Sequence, residues 1–265
     1  WEAAFGAPPG SACRDAFVAA ARAAYADEAE LVRALASVGA EVESFEDIRA
    51  LTRPLPGLDR WREAWVETVA DRYFRVCARA VRAVDPNHLI LSQRFAGWAP
   101  DPAARAAGRY CDVFCMNFYN QGIAYGVSDQ LHSRFLELGD LTGLPILIGE
   151  WSFKALDSGL PNTRGAATPV ETQETRAVGY ASYLAAAASN PCIVGAHWFL
   201  HSDQPYEGRF DGENSNYGLV DLADRPYPEL VVAASFMNRL AYPIARQTQR
   251  GAIPLEILPT GPNWV

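Results

Sequence analysis

No stretch of 18 apolar residues occurs anywhere in the 265-residue chain, which excludes a membrane-spanning helix. No GxGxxG or GxxxxGK(S/T) string follows an apolar run, so nucleotide binding has no support. No GxSxG elbow occurs either, which removes the usual hydrolase serine. Positive charge is in deficit: 23 Lys and Arg face 31 Asp and Glu, a net charge of −8. That balance argues against a nucleic-acid partner and against an anionic membrane surface. The charge is spread along the chain and reads as a solvated exterior. Cysteine is sparse and odd in number: Cys13, Cys77, Cys111, Cys115 and Cys192, with no CxxC pair. They read as small buried hydrophobes and leave the compartment undecided. Methionine occurs only at 116 and 237, so a chain opening on Trp1 reads as processed, engineered or cut, and a missing signal peptide carries no information.

What is present is ordinary globular material, 49% hydrophobic and 11% aromatic, enough for a sizeable core in one domain. Ser11 to Ser37 is Ala-rich and predicts one or two helices, broken by Gly39 and by Pro54, Pro56 and Gly57. A long helix is expected from Asp59 to about Val84, with Trp61, Trp65, Val69, Tyr73, Val76, Ala80 and Val84 as its apolar stripe. Four short apolar runs follow: His88–Ser92, Asp112–Phe118, Pro145–Glu150 and Cys192–Phe199. Helices over Asp101–Ala107, Asp129–Leu138, Thr168 to about Ser189, and Pro228 to about Leu240 alternate with them. The third is given a capping box at Thr168-Pro169-Val170-Glu171. Continuous apolar strands alternating with helices are the pattern of a parallel sheet buried on both faces, which fits a doubly wound sheet or a barrel.

Polar residues collect at the C-terminal ends of these runs: Gln93 and Arg94; Asn117, Tyr119 and Asn120; Glu150; and His197, Trp198, His201 and Asp203. In a β/α barrel the loops at that end converge on one mouth. Each such residue could equally cap its strand. Glu150 differs, because a carboxylate placed straight after a buried run, with Trp151 beside it, loses solvation and is retained only with partners. Gly149 leaves room for a substrate to approach.

The strings DPNHLILSQRFAGW (85–98), DVFCMNFYN (112–120), PILIGEWSF (145–153) and GAHWFLHSDQP (195–205) resemble the last four strands of clan A retaining glycosidases. With GRFDGENSNYGLVD (208–221) and RPYPEL (225–230), they most resemble the β-agarase family, family fifty of the glycoside hydrolases, over about Trp61 to Asn238. The resemblance implies the C-terminal half of a TIM-type α/β barrel, about strands five to eight. In these terms residues 1–58 are a helical segment following a missing fourth strand, 59–240 are four β/α units, and 241–265 are a tail. It implies Glu150 as nucleophile, Tyr119 as the residue that holds it ionised, and Trp198 as the aromatic floor for the sugar. Asn117, His197, Asp203, Gln204, Asn214, Arg94 and Trp151 are the implied substrate contacts. The partner is a carbohydrate, no cofactor or metal is called for, and the family implies a secreted or periplasmic bacterial setting.

One element of the clan pattern is absent. Its general acid/base is a Glu after an Asn ending the fourth strand, and the first half of this chain has no Asn-Glu pair. Glu2 is the only nearby carboxylate, and no strand precedes it to position it. A retaining enzyme needs two carboxyl groups about 5–5.5 Å apart, so the acid/base is expected upstream and the chain alone is expected to show at best residual activity. An open half-barrel with unpaired strand edges and a tendency to associate follows from that reading. A catalytically inactive carbohydrate-binding relative is the competing expectation. A metal site on His197 and His201 is disfavoured, since four residues of strand separate them by about 13 Å.

Overall fold

The computed structural model describes residues 1–119 and 129–249. The chain divides into two compact units, Trp1–Ile90 with Pro100–Cys111, and Leu91–Ala99 with Asp112 onward. Among the described residues no helix is long and apolar enough to cross a membrane.

The first unit is helical: α1 (Glu2–Gly6), α2 (Ala12–Ala24), α3 (Glu28–Ala36), α4 (Asp59–Val84) and α5 (Asp101–Gly108). Ser11 caps α2 by accepting from the Arg14 amide, and Asp27 caps α3 by accepting from the Glu30 amide. Its core is an aromatic knot in which Phe17 lies 4.4 Å from Trp61 between centroids, with Trp1, Phe5 and Trp65 edge-on to Phe17. Arg14 is fully buried in this unit without a carboxylate; its guanidinium donates to the carbonyls of Phe5, Ala7 and Leu51 at 2.8–2.9 Å. The limits of α4 are those expected, but only the first part of its stripe is buried. After Trp61 and Trp65 the buried face swings to Phe74 and Ala78, and Val69, Tyr73, Val76 and Val84 are exposed. The cause is the small-residue helix α5 that α4 packs on. Arg105 and Arg109 of that segment pair with Glu67, and Arg109 also pairs with Asp71, so these ion pairs share the face of Phe74 and Ala78, opposite the expected stripe.

The second unit holds β1 (Phe95–Ala96), β2 (Phe114–Asn117), β3 (Ile146–Trp151), β4 (Phe153–Ala155), β5 (Thr168–Val170) and β6 (Ile193–Trp198), with α6 (Asp129–Thr142), α7 (Gln173–Ala188) and α8 (Pro228–Gln249). β1, β2, β3 and β6 form one parallel sheet in that order, and β4 and β5 form a separate parallel pair. The fold class is therefore α/β with parallel sheets, as expected. Two local expectations are corrected. The first run pairs late: Leu91 makes a single bridge to Val113, and the ladder forms only at Phe95–Ala96. The third helix starts at Gln173 and not at Thr168. Thr172 is its cap, accepting from the Thr175 amide, while Thr168-Pro169-Val170 is a strand. A proline with fixed φ suits an edge strand as well as a helix start, and both strands of a two-stranded sheet are edges. Cys111 and Cys115 are buried as expected, whereas Cys13 and Cys77 are exposed on helices, and all five cysteines are free.

Candidate active site

Glu150 sits near the end of β3, and the way it is aimed comes from a break in the strand. Ile146, Ile148 and Trp151 are buried while Leu147, Gly149 and Glu150 are not, so the buried set steps by two and then by three. The register shifts on both sides of this point, between Met116 and Asn117 in β2 and between Ile148 and Trp151 against β6. A bulge of one residue reverses side-chain parity beyond it. It sends Trp151 inward, where it stacks on Tyr183 of α7 at 4.1 Å, and leaves Glu150 in a cavity of about 860 Å³. Gly149 is required for packing more than for access: a Cβ there would come 3.0 Å from Cys115 Sγ and 3.1 Å from Asn117 Oδ1.

The carboxylate of Glu150 is held at both oxygens. Arg94 Nη1 donates to Oε1 at 2.8 Å, and Tyr119 Oη donates to Oε2 at 3.0 Å. Its side chain is 23% exposed, so one approach to it stays open. Burial, and then the charge of Glu150, push the Tyr119 phenol above its ordinary range, so it remains a donor to the carboxylate. Arg94, Asn117, Tyr119 and Glu150 line the same cavity together with Trp98, Phe199, Arg209, Glu213 and Tyr217. Asn117 is nearly fully buried, and its Oδ1 has no hydrogen-bond partner among the described residues.

Several expected contacts lie elsewhere. Trp198 is not a lining residue; its indole meets Trp151 edge-on at 4.9 Å and Tyr180 at 5.2 Å, and donates to the Tyr217 carbonyl at 2.9 Å. Phe199 lines the cavity instead, because neighbours on an extended strand point to opposite faces. Trp151 is buried against α7. His197 is exposed on β6 and, like His201, does not line the cavity. Asp203 accepts from Asn216 Nδ2, the Gly218 amide and Tyr227 Oη at 2.6–3.1 Å, so it organises the loop after β6. Arg176 of α7 is completely buried, donates to the carbonyls of Phe153 and Gly218, and is lowered by burial to a pKa of about 10 with Asp203 opposing that shift. Gln204 binds the Ser215 amide and Glu213. Asn214 accepts from Thr163. Asn120 lies outside the described residues. Glu2 opens α1 in the helical unit, 3.9 Å from the terminal amine. No group of three or more His, Cys, Asp or Glu side chains among the described residues is placed to hold a metal ion.

Sequence reasoning missed Trp98, Phe199, Arg209, Glu213 and Tyr217 as cavity residues. The last three stand in the string 208–221 that carries the resemblance, but a loop has no periodicity from which inward positions can be read.

No protein-family model matches the chain. It is 38% identical over 181 residues to Beta-agarase B of Vibrio sp. (strain JT0107), covering 67% of this chain and 18% of that protein. Beta-agarase A of the same strain is 37% identical over 171 residues, covering 64% of this chain and 17% of that protein. A solved exo-β-agarase superposes with a TM-score of 0.76 at 33% identity, over 91% of this chain and 32% of that one. The chain thus spans about a fifth of the length of the curated relatives it matches and about a third of the solved one.

Proposed function

The chain is homologous to a part of the β-agarases, glycoside hydrolases of family fifty, and from that relationship we propose that it carries the nucleophile side of a retaining β-glycosidase site. The substrate class is a β-linked polysaccharide or oligosaccharide of the agarose or β-galactoside kind. The observation that carries this reading is the carboxylate of Glu150, gripped by Arg94 and Tyr119 at the wall of a sugar-sized cavity. Two donors, one on each oxygen, fix the direction of this half-buried carboxylate. A carboxylate oriented in this way can attack the anomeric carbon and form a glycosyl ester as the glycosidic C–O bond breaks. Water then hydrolyses the ester and restores the anomeric configuration.

The second carboxyl group, which protonates the leaving oxygen and later activates water, is assigned to a segment upstream of Trp1. Four further strands from that segment would close a TIM-type barrel. Two features support this. Glu213, the other carboxylate lining the cavity among the described residues, is already engaged by Arg209 and Gln204. The outer strands β1 and β6 each have a side without a partner strand among the described residues, and Val194 on β6 is 63% exposed. A catalytically inactive carbohydrate-binding relative is the second reading, favoured by that same lack of a free second carboxyl group in the cavity.

Trapping separates the two. Incubating the full-length protein with an activated 2-deoxy-2-fluoro-β-galactoside is expected to add one fluorosugar to the peptide containing Glu150. A label on another carboxylate, or sugar binding with no label and no turnover, would defeat the nucleophile assignment. The aromatic floor is assigned to Phe199. Phe199→Ala is expected to weaken sugar binding roughly tenfold, about 1.4 kcal/mol, in isothermal titration. Trp198→Ala is expected instead to lower stability by about 3 kcal/mol in denaturant unfolding, with sugar affinity retained.

A further inference from the structure

The loop after β6 brings two polar groups to the cavity of Glu150 that the mechanism above does not use. Glu213 is fixed through one oxygen: its Oε2 accepts from Gln204 Nε2 at 2.7 Å and pairs with Arg209 Nη2 at 3.2 Å. Its Oε1 has no hydrogen-bond partner among the described residues. Tyr217 is fixed by burial of its ring, with Phe199 edge-on at 5.3 Å. Its Oη accepts from the Ala167 amide at 3.4 Å, and its own proton has no acceptor among the described residues.

Gly165 shows how these two atoms are arranged. It has φ +105°, and a Cβ placed on it would overlap Tyr217 Oη and lie 3.3 Å from Glu213 Oε1. Both oxygens therefore flank one point beside a residue without a side chain, and Ala166 next to it lines the cavity. The loop is held there by Lys154, the chain's single lysine, which donates to the carbonyls of Asn162 and Arg164 at 3.1 Å.

We propose that Glu213 and Tyr217 form a recognition pair for two adjacent hydroxyl groups of the sugar seated beside Glu150, and so determine which sugar the cavity accepts. A carboxylate oxygen only accepts and a phenol with its proton free donates, whereas each sugar hydroxyl can do both. One hydroxyl gives its proton to Glu213 Oε1, and its neighbour receives that of Tyr217. Burial pushes the Tyr217 phenol up to about 12, which keeps that proton in place at neutral pH. A site built this way rejects a sugar lacking either hydroxyl, because a desolvated acceptor or donor is left unpaired. The inference rests on reading the cavity as a sugar site, but not on Glu150 being the nucleophile.

The test uses the full-length protein with p-nitrophenyl β-D-galactopyranoside and its 2-, 3-, 4- and 6-deoxy analogues. Glu213→Gln is expected to raise KM for the parent about ten- to hundredfold, with a much smaller change in kcat. For one deoxy analogue the variant and the wild type should then be alike. Tyr217→Phe, which keeps the buried ring, should erase discrimination at the adjacent position and serves if Glu213→Gln fails to fold. Unchanged deoxy penalties in both variants, with turnover intact, would overturn the inference alone. A collapse of kcat in Glu213→Gln that is rescued by azide would make Glu213 the acid/base and overturn it too. Failure of the nucleophile reading shows separately, as full turnover by Glu150→Gln.

Discussion

Glu150→Gln in the full-length protein should lower turnover by on the order of 10⁴-fold or more, measured as reducing ends released from agarose-type oligosaccharides. The amide is nearly isosteric, so the fold and the bond from Tyr119 should persist, and far-ultraviolet circular dichroism should be unchanged. What is lost is the ability to form a glycosyl ester. Arg94 sharpens the expectation, because its guanidinium faces Oε1 at 2.8 Å and would be left without its counter-charge. Sugar affinity should fall far less than turnover, since most lining residues are untouched. Turnover within tenfold of wild type would remove Glu150 from the chemistry.

Asp203→Ala should destabilise the second unit by about 3–5 kcal/mol, lowering its melting temperature by roughly 10 °C in differential scanning calorimetry. Asp203 is buried and accepts from Asn216, Gly218 and Tyr227, and its charge opposes the desolvation of the fully buried Arg176. Removing it strands those donors and takes away the largest charge that compensates the buried Arg176 cation. The same loop carries Glu213 and Tyr217, so sugar binding should weaken as well. Asp203→Asn keeps the shape and should recover part of the stability. If Asp203→Ala melts with the wild type while losing affinity, Asp203 is a substrate contact and not a loop organiser.

Much of this molecule was legible as a linear pattern. The alternation of apolar runs with helical segments specified a parallel α/β fold, because strands covered on both faces have no polar alternation. The string Ile146-Leu147-Ile148-Gly149-Glu150 singled out Glu150, and the residues ending the neighbouring strands supplied Arg94, Asn117 and Tyr119 beside it. The family relationship was legible in the short strings at the strand ends, and the relatives match over about two thirds of the chain.

Other features depended on three-dimensional contacts. The bulge at Gly149 reverses which side chains face the cavity; a glycine inside a strand hints at a bulge but does not say which way the register steps. The choice of Phe199 over Trp198 turns on one residue of strand parity, and a slip of one flips every side chain to the other face. The buried stripe of α4 turned to Phe74 and Ala78 because α5, distant in sequence, packs on that face. Asp203 and Gln204 became loop supports because their partners, Asn216, Gly218 and Glu213, are distant enough in sequence that only chain folding brings them together. Sequence alone determined the fold class, the family and the place of Glu150 at the end of a buried strand, since each is written in short contiguous strings. Tertiary structure decided which face each side chain takes and which polar groups are spent on one another, because those depend on register and loop closure between segments that no local pattern encodes.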